Sequence, residues 1–298
     1  IFANLPKMLR YLSKIFIAIG VLVIILVVAT ITTVDRTPYK ETSFYEEMNT
    51  RLDSLSEHWT LQSDTSGLRI GWSEVNITPE QAKPLAGYGA REPKTMDGVL
   101  DSSFIRTVVF ELGEWRLAMV FADLLIIHPE LRERVFQSLS DSWDSNEIYF
   151  TATHTHSGQG GWAPGPVGEL FAGDYEEDQL QRLTSGILES ISIAQSNLKL
   201  GSVQFGELSM DHLVRNRLAK EKGTIDPWLK VARLQSDTLI GHITVFSAHA
   251  TCFGADNRLL SGDYPAALVE QLNDPFDFGA FAAGAVGSMA VNSEKPTS

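Results

Sequence analysis

Two histidines stand two residues apart in Thr153-His154-Thr155-His156-Ser157-Gly158, where the hydrophobic run Glu147 to Ala152 gives way to glycine-rich sequence. On an extended strand, residues i and i+2 share a face, so both imidazoles are expected to converge on one point. Imidazole is the commonest metal ligand among side chains, and α/β proteins place their sites where a strand opens into a loop. The chemistry this predicts is metal-assisted hydrolysis; the alternative is a pair of solvated loop histidines. A second station is His249, in Ser247-Ala248-His249-Ala250-Thr251 at the end of the run Leu239 to Ala248. Zinc sites are commonly assembled from ligands brought together in this way. For His249 the alternative is a buried imidazole satisfied by a carbonyl. His58, His128, His212 and His242 stand in no comparable pattern.

The elements that must hold these residues alternate between strand and helix. Ile105 to Glu111 and Arg116 to Ala122 are β-branched or aromatic runs around Leu112-Gly113-Glu114, a hairpin signal. Pro129 to Ser140 predicts a helix with Leu131, Val135, Phe136 and Leu139 on one face. Glu177 to Leu198 predicts another, with Leu180, Leu183, Ile187, Ile191 and Ile193 at helical spacing. Strands are expected at Ser202 to Leu208, Leu229 to Gln235, Leu239 to Ala248 and Phe278 to Ala283, with a helix over Asp263 to Leu272. Hairpins interleaved with strand-helix-strand units predict an α/β fold of mixed β-sheets flanked by helices.

One N-terminal transmembrane helix is expected to precede that fold. Ile15 to Val34 carries no charge and is almost all Ile, Val, Leu, Ala and Phe, and about twenty such residues span a bilayer core. Lys7, Arg10 and Lys14 precede it and Asp35 follows, so the positive-inside rule leaves the N-terminus in the cytoplasm. A cleaved signal peptide is the competing reading, but its apolar core is usually ~7–15 residues long. The expected organisation is a cytoplasmic segment at 1–14, a signal anchor at 15–34, a stalk at 35–66 and a catalytic domain at 67–298. That domain would be membrane-anchored and lie outside the cytoplasm, periplasmic or extracellular. Within the stalk, Ser43 to His58 reads as a short helix. Ile1 in place of Met, and a polar close after a hydrophobic segment, read as a piece of a longer chain.

Composition narrows the function further. A net charge of −13, from 24 Lys+Arg against 37 Asp+Glu, suits neither DNA nor RNA, so no nucleic-acid partner is expected. Cys252 is the sole cysteine, which excludes an internal disulfide and a Cys-based zinc site. No Gly-x-Ser-x-Gly occurs, so the α/β-hydrolase nucleophile elbow is absent. Gly158-Gln159-Gly160-Gly161 is followed by Trp162, Pro164 and Pro166, which does not fit a dinucleotide fingerprint. The pattern His-x-His-x-Asp-His also fails, at Gly158 and Gln159. Asn76-Ile77-Thr78 fits the N-glycosylation acceptor, but Pro79 suggests a turn.

Taken in order, several stretches resemble the neutral/alkaline, non-lysosomal ceramidases. They are Ile70-Gly71-Trp72, Val75 through Pro79, Gly87-Tyr88, Ala152 through Gly161, Asn216-Arg217, Ala248 through Thr251, Asn257 through Asp263, and Phe281-Ala282 with Val286-Gly287. The resemblance implies a zinc-dependent amidase that cleaves the N-acyl bond of ceramide to give a fatty acid and sphingosine. It implies zinc (Zn2+) held by His154 and His249, His156 facing the substrate amide, and Arg217 near the pocket. The family completes its zinc shell with a Glu and a Tyr from a later part of the catalytic domain. It also carries Gly-Asp-x-Ser-Pro-Asn, where this chain has Gly287-Ser288-Met289-Ala290-Val291-Asn292. Ala290 stands in the Ser position and Ser288 in that of the Asp, so the hydroxyl is lost. The expected partners are therefore a ceramide-like lipid amide and a membrane. A zinc hydrolase of another amide or ester, and a non-catalytic binding or envelope protein on the same scaffold, remain open.

Overall fold

The computed structural model describes residues 5–30, 37–58, 67–91, 94–139, 143–273 and 277–292. It divides into two units, Ile1–Ser63 and Asp64–Ser298. The first holds helices α1 (Leu5–Thr30) and α2 (Ser43–His58). Within α1, Leu9–Ala29 has a mean hydropathy of 2.9 and none of it is buried. At 1.5 Å per residue this stretch is ~30 Å long, enough to cross a bilayer core. The helix begins earlier than the charge-free run predicts and takes in Lys7, Arg10 and Lys14; residues 31–34 of the expected span lie outside the described residues. Helix α2 has the bounds that its sequence predicts, with Arg51 paired to Glu47 one turn earlier at 2.6 Å.

The second unit opens with strands β1 (Arg69–Asn76), β2 (Gly98–Val99), β3 (Phe104–Leu112) and β4 (Trp115–Ala122). Then come α3 (Pro129–Ser138), β5 (Ile148–Ala152), α4 (Pro166–Ala172), α5 (Glu177–Ser196), β6 (Lys199–Ser209) and β7 (Val214–Asn216). Strands β8 (Trp228–Ser236), β9 (Leu239–Phe246) and β10 (Leu259–Leu260), helix α6 (Asp263–Asn273), and strands β11 (Phe278–Ala283) and β12 (Met289–Val291) complete it. The fold is mixed α/β, with a large mixed sheet flanked by helices. Its eight strands run in the order β11-β9-β8-β6-β1-β3-β4-β5. Strands β4 and β5 are parallel, as are β9 and β11, while the pairs between them are antiparallel.

Helix α5 lies on one face because its sequence offers a stripe. Leu180, Leu183, Ile187 and Ile191 are buried in one cluster with Ile105, Val109, Ala118 and Val120 of the sheet. Each such side chain contributes roughly 1.5–3 kcal/mol of burial. Ile193 departs from the expected stripe: it is 38 % exposed, and Ala194 takes the inward place. Two positions on from Ile191 is ~200° around a helix, so Ile193 faces away. On the opposite side of the sheet, Ile70, Trp72, Val108, Phe121, Leu234, Ile243 and Phe278 form a second cluster. Both faces of β3 are thus covered, which is why it reads as one apolar run. Helix α4 forms where two prolines read as breakers, since Pro166 takes the first helical position, whose N–H needs no partner.

Candidate metal centre

Strand β5 ends at Ala152, so His154 and His156 lie in the loop beyond it rather than on the strand itself. The two imidazoles therefore do not converge by strand alternation. His154 has a left-handed backbone, φ 60, a conformation that costs a non-glycine residue about 1–3 kcal/mol. The main chain around it is held on both sides: Thr153 N–H donates to Ala122 O at 3.0 Å, and His154 N–H to Leu124 O at 3.1 Å. His156 N–H donates to Ala250 O at 3.2 Å, which joins this loop to the segment carrying His249.

The alternation within Thr-His-Thr-His-Ser has a simple logic. Thr153, Thr155 and Ser157 are buried, while the two imidazoles between them are only half-buried. Thr155 Oγ1 donates to Ser261 O at 2.8 Å, and Ser261 N–H donates to Ser157 O at 2.9 Å. Asn257 Nδ2 reaches Ser157 Oγ at 3.0 Å. Thr155 and Ser157 therefore fasten the loop to residues 257–261, and the imidazoles project the other way.

They project toward His249. Its Nε2 lies 3.0 Å from His154 Nε2 and 3.1 Å from His156 Nε2. The three histidines each offer a ring nitrogen, all within 4.8 Å of one another. Two nitrogens bound tetrahedrally to one zinc would sit roughly 3.3 Å apart. His154 Nδ1 faces Leu125 O at 2.7 Å, and His249 Nδ1 faces Val286 O at 2.8 Å. A carbonyl accepts only, so each Nδ1 carries the proton and each Nε2 presents a lone pair. Two acceptors 3.0 Å apart repel one another unless a cation lies between them. Carbonyl-anchored imidazoles of this kind are how proteins orient metal ligands, and the residues fit a bound cation.

Electrostatics point the same way. Burial lowers the His154 pKa, the Leu125 carbonyl opposes that, and the Arg217 charge lowers it further. Burial likewise lowers His249, assisted by His154 and Arg217. His156 is pushed down to about 3, by burial first and then by the other two imidazoles. All three rings are therefore neutral near pH 7, the form that ligates metal. His156 differs in its anchoring. Among the described residues its buried Nδ1 closes no hydrogen bond of good geometry, although the Gly87 carbonyl lies near enough to oppose the downward shift.

Arg217 stands close enough for its charge to act on all three histidines. Its N–H donates to Ser288 O at 2.9 Å and its Nε to Gly287 O at 3.0 Å. Asn216 shapes the turn that presents it: Oδ1 accepts from Leu218 N–H at 3.0 Å and Ala219 N–H at 2.8 Å. His249 N–H donates to Met289 O at 3.2 Å, beside a bridge between His249 and Ala290. Residues 286–289 thus hold both His249 and Arg217 through carbonyl oxygens. Ala290 is 7 % exposed.

Three further histidines of this unit stay apart from the cluster. His128 caps α3, accepting from Glu130 N–H at 3.2 Å, His212 is exposed, and His242 is buried on β9. Two residues that sequence reasoning gave no role border His156. The Tyr88 ring lies 5.0 Å from its imidazole, and Arg91 Nη2 donates to its carbonyl at 2.9 Å. Tyr88 belongs to a stretch carrying the family resemblance, whereas Arg91, a single arginine in a loop, offers no pattern to notice.

Fold and site together define a mixed α/β domain with a three-imidazole centre suited to a metal ion. The chain belongs to the neutral/alkaline non-lysosomal ceramidase family, whose N-terminal part matches residues 68–294. It is 29 % identical over 222 residues to the neutral ceramidase of Pseudomonas aeruginosa, covering 68 % of this chain and 33 % of that protein. It is 26 % identical over 218 residues to the neutral ceramidase of Mycobacterium tuberculosis, covering 66 % of this chain and 34 % of that protein. The crystal structure of the Pseudomonas aeruginosa neutral ceramidase superimposes with a TM-score of 0.71 at 27 % identity, over 78 % of this chain and 41 % of that one. A ceramidase complexed with C2 superimposes with a TM-score of 0.69, also at 27 % identity. The chain therefore spans about a third of the length of these curated relatives.

Proposed function

We propose that this protein is a membrane-anchored, zinc-dependent hydrolase of the N-acyl amide bond of ceramide or a related lipid amide. The observation that carries the reading is the pair of carbonyl-anchored imidazoles, His154 and His249, whose Nε2 lone pairs meet 3.0 Å apart. Membership of the ceramidase family supports the choice of an amide substrate. Zinc, when bound, lowers the pKa of its water to ~7 and polarises a carbonyl.

His154 and His249 are the ligands, since their rings are fixed through Nδ1 and have one free nitrogen each. His156 lacks that anchor and is the imidazole left to address the substrate amide, as a hydrogen-bond partner at its oxygen or nitrogen. Arg217 supplies positive charge beside the cluster, where oxyanion character develops on the acyl carbonyl. Ala290 offers no hydroxyl, so recognition of the amide falls to His156 and Arg217. Helix α1 has the length and apolarity of an anchor, and the basic residues at its start support a domain outside the cytoplasm.

The test is elemental analysis of the full chain beside His154→Ala, together with fatty-acid release from ceramide and from simpler N-acyl amides. The reading expects stoichiometric zinc, its loss in His154→Ala, and release that falls with it. Zinc without any amide turnover would leave a metal centre serving another substrate, and absence of bound metal would overturn the hydrolase reading.

A further inference from the structure

His154 and His249 are each oriented by a carbonyl hydrogen-bonded at Nδ1, whereas the Gly87 carbonyl beside His156 Nδ1 falls short of hydrogen-bond geometry, so its ring calls for further support. The surroundings name two residues. Arg91 is 2 % exposed, and its guanidinium reaches three carbonyls: His156 O at 2.9 Å through Nη2, Ala86 O at 3.3 Å through Nη1 and Ala255 O at 3.4 Å through Nε. Those carbonyls belong to three separate stretches of loop. Among the described residues it makes no ion pair with a carboxylate. Its charge is instead spread over these oxygens and the Tyr88 ring, whose centroid lies 5.0 Å from Arg91 Cζ.

Tyr88 completes the frame. Its ring packs on His156 with centroids 5.0 Å apart and planes inclined at 56°. Its hydroxyl donates to Phe253 O at 2.8 Å, and its carbonyl accepts from Arg91 N–H at 3.1 Å. A buried cation bound to main-chain carbonyls fixes that main chain, and the ring it faces, Tyr88, is the one the imidazole packs on. Its planar fork addresses several oxygens at once, which the single ammonium of a lysine cannot do.

We propose that Arg91 and Tyr88 are positioning residues for His156, the structural counterpart of the carbonyl anchors on His154 and His249. Arg91 sets the main chain from which the imidazole projects, and Tyr88 sets the plane against which the ring rests. Both tie that ring to the loop around Phe253 and Ala255. The inference rests on the reading of His156 as the substrate-facing imidazole, and it assigns neither residue a contact with substrate.

The experiment uses the full zinc-loaded chain as wild type, Arg91→Met, Arg91→Lys, His156→Ala and Arg91→Met in the His156→Ala background. Ceramide turnover is read with zinc content, and histidine-selective 13C NMR follows each imidazole separately. Arg91→Met is expected to keep its zinc, to broaden or shift the His156 resonance alone, and to lower kcat about ten- to a hundredfold with little change in KM. Arg91→Lys should fall between wild type and Arg91→Met, and it carries the test by itself if Arg91→Met does not fold. In the His156→Ala background the Arg91 substitution should cost nothing further. An unchanged His156 resonance in a folded variant, or an equal loss of kcat in the His156→Ala background, would overturn the proposal. If wild type hydrolyses no lipid amide, the proposed function fails, and the NMR arm still decides whether Arg91 orders His156.

Discussion

At the scale of single residues, position matters as much as identity. Gly87 has φ +116, and a Cβ there would fall 2.6 Å from His156 Cα. Gly87→Ala therefore combines an unfavourable backbone with a collision against the imidazole's own main chain. It should destabilise the protein by roughly 1–3 kcal/mol and, on the proposed function, lower turnover while zinc stays bound, because His154 and His249 are untouched. Thermal melting with elemental analysis on one preparation checks both halves, and joint loss of zinc and activity would contradict the division of roles. The three histidines were legible from residue type and spacing, whereas the way they meet was not. Alternation on a strand puts His154 and His156 on one face, but the strand has ended by then and a left-handed residue with paired backbone bonds does the work. No local pattern marks His154 for φ 60, because the contacts that impose it come from Leu124 and Leu125, far back in the chain.

Among the elements, the launch of β5 decides where the histidine loop begins. Glu147, expected as the first strand residue, instead closes a short 3-10 turn over Ser145–Glu147. Asp144 accepts from Asn146 N–H at 2.9 Å, while Glu147 accepts from Asp144 N–H at 2.8 Å, a reciprocal cap. Arg116 of β4 joins it at 2.6 Å from Glu147 and stacks over Trp143. Burial raises the Glu147 pKa, but the Arg116 hydrogen bond and the Asp144 amide outweigh it, so the folded value lies below the ordinary one. A carboxylate depressed on folding stabilises above its unfolded pKa of ~4.3 and loses that contribution as pH falls through the folded value. Glu147→Gln should thus cost about 0.5–1 kcal/mol near neutral pH. Urea unfolding across a pH series should show the gap closing below about pH 4; a gap of constant size would place the effect in packing. Periodicity made α5 and the β3–β4 hairpin plain. Strand β1 escaped because Arg69-Ile-Gly-Trp-Ser-Glu-Val-Asn mixes classes on both faces, its Gly71 being needed where the chain passes 2.2 Å from a would-be Cβ at Ala194 O.

Seen as a whole molecule, the chain joins an apolar helix to an acidic α/β unit, and each part was readable for a different reason. Composition alone marks α1, since no charged residue interrupts Ile15 to Val34. The α/β class follows from alternating elements, but the strand order does not: β6 pairs with β1 at Arg69↔Leu200 and Ile70↔Lys199 and then with β8 from Gly201 to Ser209. Such long-range choices leave no local trace. The proposed orientation has a direct test. Cys252 is a poor reporter despite its exposure, since burial and Asp263 push its thiol up to about 12 and leave little thiolate. A cysteine introduced at exposed Ser185 of α5 should react with a membrane-impermeant maleimide on intact cells. Labelling only after permeabilisation would place the domain inside.

The stretch from Val286 to Met289 carries a consequence for evolvability. It grips His249 and Arg217 by carbonyl oxygens, and every amino acid brings the same carbonyl. Side chains there, such as that of Ser288, can change while the carbonyl frame around His249 and Arg217 stays the same. A lineage can therefore alter the side chains around the three imidazoles one at a time, without rebuilding the frame that holds them.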